Sequence, residues 1–236
     1  MDQINKAKSI SLWIFIIPFL AINACLITIT QFHSIFPNQE DIIHSTFPYL
    51  DGGASISRTA RPYPNWLIFK PAMFLTSYLL IKYWIFNRNI IKFFNKDHKN
   101  IERIFNFGVA SAIALTIHSI FLGVKFDYDL YKLFRRVILL SFIIFELIAQ
   151  AYLVATFFSL KDTLRKYINP NILRLKIILV SALLIIAAIS IPIISLPGDD
   201  FFGLNLKFLK HALEWDYFLG IISFYFLTFL MWKRIN

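Results

Sequence analysis

A single cysteine, Cys25, stands among 236 residues, which excludes an intramolecular disulfide and any cysteine-based metal cluster. Charge is scarce as well: 16% of the residues are Asp, Glu, Lys or Arg, where a soluble domain carries about 25%. That scarcity excludes an ordinary water-facing surface. The chain also lacks a nucleophile elbow and any run of residues with metal-ligand spacing. No internal repeat is found. Pro18 and Pro192, each expected to bend its helix, therefore fall short of the paired broken helices of a two-halved transporter.

Apolar residues fill the gap, at 58% of the chain with 17% aromatic and a mean hydropathy of +0.63. Crossing roughly 30 Å of hydrocarbon takes about 20 apolar residues. Six such stretches are read at about 10–30, 64–86, 105–125, 135–159, 174–196 and 214–232. The uninterrupted run from Leu175 to Leu196 has none of the alternation of a barrel strand, and backbone in lipid must pair within its own segment, so the spans should be helices. The expected fold is all-α: a polytopic, six-transmembrane-helix bundle forming a single membrane domain over residues 1–236. The first span is too long for a secretory signal and reads as an uncleaved anchor.

The net charge of +10 would point to nucleic acid in a soluble protein, but here the positions decide. Fourteen Lys and Arg fall on the side of the two termini, among them Arg88, Lys92, Lys161, Arg165, Arg174 and Lys176, and eight on the other. The excess of positive charge places both termini in the cytoplasm. Basic loops then meet anionic headgroups. Membrane lipids and membrane-protein partners are expected, not nucleic acid, and the location is multi-pass in a bacterial inner membrane or an endomembrane.

The longest segment outside the spans, residues 31–63, faces outward and is rich in Phe and Pro, which favours a folded cap. Ionisable groups inside spans mark candidate sites, since each costs about 2.5 kcal/mol or more to insert. Glu146, with Gln150 one turn on, and His118 are placed at similar depths. They form either an acid/base or proton-relay pair, or interhelical hydrogen bonds in which Glu146 meets His118 or Ser141. Asn23 in the first span reads as structural glue. His118 is the lone histidine within a span, so no haem pair is expected and no cofactor is assigned.

A second constellation stands at the outer rim. His211 and Glu214 share a helix face at the start of the last span, on the same side as Ser55, Ser57, Arg58 and Arg61. Arg58 and Arg61 suit a phosphate, and Glu214 or His211 suits a general base for the Ser57 hydroxyl. The competing reading is a solvated collar with Trp215 and Tyr217 as interfacial aromatics. His33, His44 and His211 are too scattered to make a zinc motif, and no metal is expected.

Ser55-Ile56-Ser57, then Pro62 and Pro64, then Ile68-Phe69 opening a span, with His211-Ala212-Leu213-Glu214-Trp215 before the last span, resemble the six-span group of the damage-regulated autophagy modulators and the GPI lipid-remodelling factor. The resemblance implies a membrane protein that senses or remodels lipid. It would place Ser55, Ser57, Glu214 and Trp215 in the working site, with His211 beside them. Where that group often has Pro-Glu before the second span, this chain has Pro64-Asn65, so no acid role carries to Asn65.

The expected function is an outward-facing polar pocket that binds, and in its fuller form remodels, a lipid headgroup or acyl chain. Ser57, His211 and Glu214 would be catalytic, and Ser55, Arg58, Arg61 and Trp215 would bind the headgroup. The alternatives are a non-catalytic subunit or scaffold of a membrane complex, and a small proton-coupled transporter using Glu146 and His118.

Overall fold

The computed structural model describes residues 2–124, 128–195, 200–201 and 204–233. Its helices are α1 (Asp2–Gln31), α2 (Pro48–Asp51), α3 (Ile56–Ala60), α4 (Asn65–Phe94), α5 (Ile101–Phe121), α6 (Asp129–Ser159), α7 (Lys161–Leu164), α8 (Pro170–Ser195) and α9 (Leu206–Met231). Asp200–Phe201 pairs antiparallel with Leu204–Asn205 just before α9.

Five helices, α1, α5, α6, α8 and α9, are long and apolar enough to cross a membrane, as in an integral membrane protein. The expected span at 64–86 falls on α4, which is 30 residues long. It carries Lys70, Lys82, Arg88 and Lys92 and is not among the five.

The six long helices close into a ring. α1 packs between α4 and α9, α5 lies between α4 and α6, and α8 bridges α6 to α9. Small residues allow the close approaches: a Cβ at Gly108 of α5 would lie 2.3 Å from the Trp84 ring of α4. The seam holding first and last helices is polar, with Lys8 Nζ donating to the Trp232 carbonyl at 2.6 Å. Asn169 N also donates to the Met231 carbonyl, and Lys233 N to that of Tyr167, each at 2.8 Å. These bonds bring both ends of the chain to one end of the bundle.

Helix starts correct the expected boundaries. α8 begins at Pro170, where the Asn169 side chain caps the Asn171 N–H at 3.1 Å. Proline at a first helical position costs no hydrogen bond, because that N–H has no partner in any helix. Lys176, counted among the basic loop residues, is therefore more than a turn inside α8 and fully buried. α9 begins at Leu206, with Asn205 accepting from Lys207 N at 3.0 Å. Residues 206–213, ahead of the span expected at 214–232, are therefore its continuous first turns.

The long outward segment is folded. Ile29, Phe36, Ile42, Ile43 and Ala54 make a small core of their own. Asp51 ties the turn, accepting from Thr46 Oγ1 at 2.6 Å and from Phe47 N and Gly53 N at 2.8 Å. Gly52 ends α2 at φ +61°, and any Cβ there would run into the Phe208 carbonyl of α9.

α6 differs between its halves. Glu146, Leu147, Ala149, Gln150, Leu153, Val154, Thr156 and Phe157 are buried, whereas none of the described side chains from 129 to 145 is. The inner half is deeply enclosed by the ring, and the outer half is more exposed while it packs on the end of α5, the Phe134 ring 5.3 Å from that of Phe121.

Candidate functional site

Beside the outer half of α6 lies a cavity of about 760 Å3, a figure that takes in the open space at its mouth. Its wall comes from α1 (Ile14, Pro18, Ile22), α4 (Phe69, Met73), α5 (Leu115), α6 (Leu139, Phe142) and α9 (Phe218, Ile221), with α3 as its cap. Ser57, Thr76, His118, Glu146, Glu214 and Tyr225 are the polar residues among the lining. The rim cluster and the intramembrane pair, which the sequence presents as rival sites, thus open into one chamber.

At the rim, α9 serves as the post to which the outward segment is moored. His211 Nδ1 is 2.9 Å from the Gly52 carbonyl. The buried Trp215 donates from Nε1 to the Ala54 carbonyl at 2.8 Å and packs edge-on against Tyr49, ring centroids 4.8 Å apart. The N–H groups of Ile56 and Ser57 donate to the Glu214 carboxylate. A negative group there meets the unpaired N–H groups that open α3.

Ser55 caps the same helix, accepting from Arg58 N at 3.2 Å. The Ser57 hydroxyl is 3.4 Å from that of Ser55. The two candidate bases are bonded elsewhere, His211 to Gly52 and Glu214 to the α3 backbone. The structure therefore brings Ser55, Ser57, His211, Glu214 and Trp215 together as a built joint. Among the described residues it shows no hydrogen bond from Ser57 Oγ to either base.

Arg58 and Arg61 follow on α3. Arg58 is exposed, while Arg61 is half-buried and its Nε is buried with no hydrogen-bond partner. Burial, then the charge of Arg135, hold the Arg61 guanidinium below the ordinary arginine value; Arg58 adds to this and Asp41 opposes it.

Deeper in, His118 and Glu146 both face the chamber, but Glu146 is not bonded to His118 or Ser141 as expected. Its partners are Ser111 Oγ at 2.5 Å, Gln150 Nε2 at 3.0 Å and the Tyr225 hydroxyl. Gln150 also donates to the Ile221 carbonyl of α9 at 3.3 Å. The group therefore ties α5, α6 and α9 together at the chamber floor. Asn23 acts as glue, donating to the Phe19 carbonyl at 2.8 Å and accepting from Tyr49 at 3.2 Å.

A second polar assembly lies beneath and was missed. Lys176 Nζ donates to Thr228 Oγ1 at 2.6 Å and sits 3.7 Å from the centre of the Phe224 ring. Thr228 Oγ1 is in turn 3.3 Å from the Tyr83 hydroxyl, and the Tyr83 and Tyr225 rings pack at 4.9 Å. The missed signal is the Asn169-Pro170 pair, which starts α8 early enough to enclose Lys176.

Asn65 is fully buried. Its Nδ2 donates to the Cys25 carbonyl at 2.8 Å and the Thr59 carbonyl at 2.7 Å, joining α1, α3 and α4. A carboxylate, which only accepts, is unable to make these bonds.

Among the described residues, no group of three or more His, Cys, Asp or Glu is placed to hold a metal ion. His33 and His44 meet edge to face at 5.8 Å, while His211 is held at Gly52. Compared with protein-family models, curated proteins and solved structures, the chain matches none of them.

Proposed function

We propose that this protein is a six-span membrane protein with both termini cytoplasmic, whose chamber takes up a membrane lipid from the outer side. The observation that carries the reading is the chamber itself: a mostly apolar space, open at its mouth, beside an α6 half in which no described side chain is buried. Small-molecule sites are concave, with a few polar groups set on apolar walls. A lipid chain matches the walls, and a polar headgroup matches the Ser57 and Glu214 rim. The basic loops on the side of the termini support the orientation, and α4 completes the span count by its length.

Binding is the step that the geometry favours. The rim groups resemble a catalytic set in kind, yet their hydrogen bonds are spent on mooring the cap. Remodelling would require Ser57 to gain a base when lipid enters. Such a role agrees with what the resemblance to the lipid-remodelling group implies.

The test is native mass spectrometry of the purified protein released from detergent. Wild type should retain one lipid per chain. Met73→Trp and Leu115→Trp, which fill the chamber from α4 and α5, should lose it while keeping their helical circular dichroism. Equal retention by the filled variants would overturn the reading.

A further inference from the structure

Two arginines stand one turn beyond the chamber wall, each on a different element. Arg61 follows Ser57 by four residues on α3, and its backbone is still helical at φ −74°, ψ −42°. Arg135 precedes Leu139 by four residues on α6, on the helix face that continues through Phe142 and Glu146. Ser57, Leu139, Phe142 and Glu146 all line the chamber. The same helical spacing therefore carries both guanidiniums to its outer lip.

They converge on the turn after α5. A Cβ built at Gly123 would lie 3.4 Å from the Arg61 carbonyl oxygen and 3.6 Å from its Cγ, so Arg61 rests on that turn. Tyr131 pins the start of α6 to the same place, donating to the Phe121 carbonyl at 3.1 Å and the Val124 carbonyl at 3.2 Å. Arg135 lies 6.0 Å from the centre of the Tyr131 ring. The charge of Arg135 acts on both Arg61 and His118.

The Nε atoms of both arginines are buried without a hydrogen-bond partner. Buried donors are normally satisfied, and two like charges repel. The nearby acid, Asp41, acts on Arg61 from the cap, and no carboxylate forms a salt bridge with either arginine among the described residues. Lys70 stands close by, its Nζ 3.3 Å from the Ile120 carbonyl near the end of α5. Such a corner has the charge and the unsatisfied donors of a phosphate site, since guanidiniums match phosphate oxygens in a fork.

We propose that Arg61 and Arg135 together bind the phosphate of a phospholipid whose chain occupies the chamber. The inference rests on the lipid reading above and narrows it: the ligand is phosphate-bearing and anionic, and Arg135 belongs to the site alongside Arg61.

The experiment uses the full chain in neutral detergent. Wild type, Arg61→Gln, Arg135→Gln and Arg135→Lys are titrated with phosphatidic acid, phosphatidylglycerol, diacylglycerol and soluble glycerol 3-phosphate, and bound species are counted by native mass spectrometry. Labelling of Cys25, fully buried in the folded chain, verifies that each variant is folded. Wild type should retain phosphatidic acid at least tenfold better than diacylglycerol. Either Gln variant should level the two, and Arg135→Lys should fall between because it keeps the charge without the fork. Diacylglycerol binding equal to phosphatidic acid in wild type overturns the phosphate site and leaves the chamber reading standing. Glycerol 3-phosphate binding as tightly as the lipid overturns a lipid source. Retention of no lipid at all overturns both readings.

Discussion

Glu146 permits a test in which two substitutions of the same residue should part company. Three donors converge on its carboxyl, from Ser111, Gln150 and Tyr225. Ser111 has one proton, and its Oγ also lies 2.8 Å from the Gly108 carbonyl. If that proton goes to Gly108, the count closes when Glu146 is protonated and donates from Oε2 to Ser111, while Oε1 accepts from Gln150 and Tyr225. Glutamine reproduces this arrangement, because its amide donates where the acid proton did and accepts where the carbonyl oxygen did. Alanine leaves the Tyr225 hydroxyl and one Gln150 N–H without an acceptor. An orphaned donor costs about 1–3 kcal/mol in a protein core, while interhelical bonds in membrane proteins average about 0.6 and reach about 1.7 kcal/mol. Two orphans then come to about 1–3 kcal/mol. The assay is built into the chain: Cys25 is the sole thiol and fully buried, so maleimide labelling during heating reports unfolding. Glu146→Gln should melt close to wild type and Glu146→Ala well below. A Gln variant as weak as the Ala variant would refute the protonated arrangement.

Three further outcomes are expected. Asn65→Asp should destabilise by about 1–3 kcal/mol, measured by the same labelling, because the donors to Cys25 and Thr59 are lost; a stable Asp variant would mean that the joint is not held as described. Gly108→Ala should also cost about 1–3 kcal/mol by overpacking, since the added methyl meets Trp84 at 2.3 Å, and an unchanged melting curve would show that α4 and α5 separate freely. The cap should loosen in acid. Burial is the largest single influence on the Asp51 pKa and raises it, but the bonds from Thr46, Gly53 and Phe47 together outweigh it and hold the folded value below the ordinary one. The stabilisation is therefore complete above an unfolded value of about 3.9 and is lost as pH falls through the folded value. Limited proteolysis with an acid-active protease should cut the segment around Asp51 faster as pH drops below about 4, and Asp51→Asn should flatten that dependence.

The helices were legible because lipid imposes a simple rule, a long apolar run with no alternation. Their starts were harder to read. Hydropathy alone begins a span where charge stops, which puts the expected starts at about 135 and 174, whereas α6 begins at Asp129 and α8 at Pro170, capped by Asn169. The rim residues could be named from one face of α9 and the hydroxyl-rich approach to the second span. Their partners could not, because Glu214 bonds to backbone N–H groups and Trp215 to a carbonyl, atoms common to every residue. The joining of rim and floor into one chamber depends on how α3, α6 and α9 meet around it, a three-dimensional relation with no local signature. Asn65 shows the reverse: as a departure from the resembling group it looked like a lost acid, and in place it is the donor that two carbonyls need.

Lys176 also constrains how the molecule is made. Its amine is enclosed by Thr228 and Phe224, which belong to α9 and are synthesised after α8. Until α9 arrives, α8 would have to hold a cation near its start in lipid, where the cost is below the roughly 2.5–3.5 kcal/mol that insertion scales give at a helix centre. Membrane insertion of α8 is thus coupled to synthesis of a segment some fifty residues downstream. A chain cut short before Thr228 forfeits its fifth long helix along with its sixth.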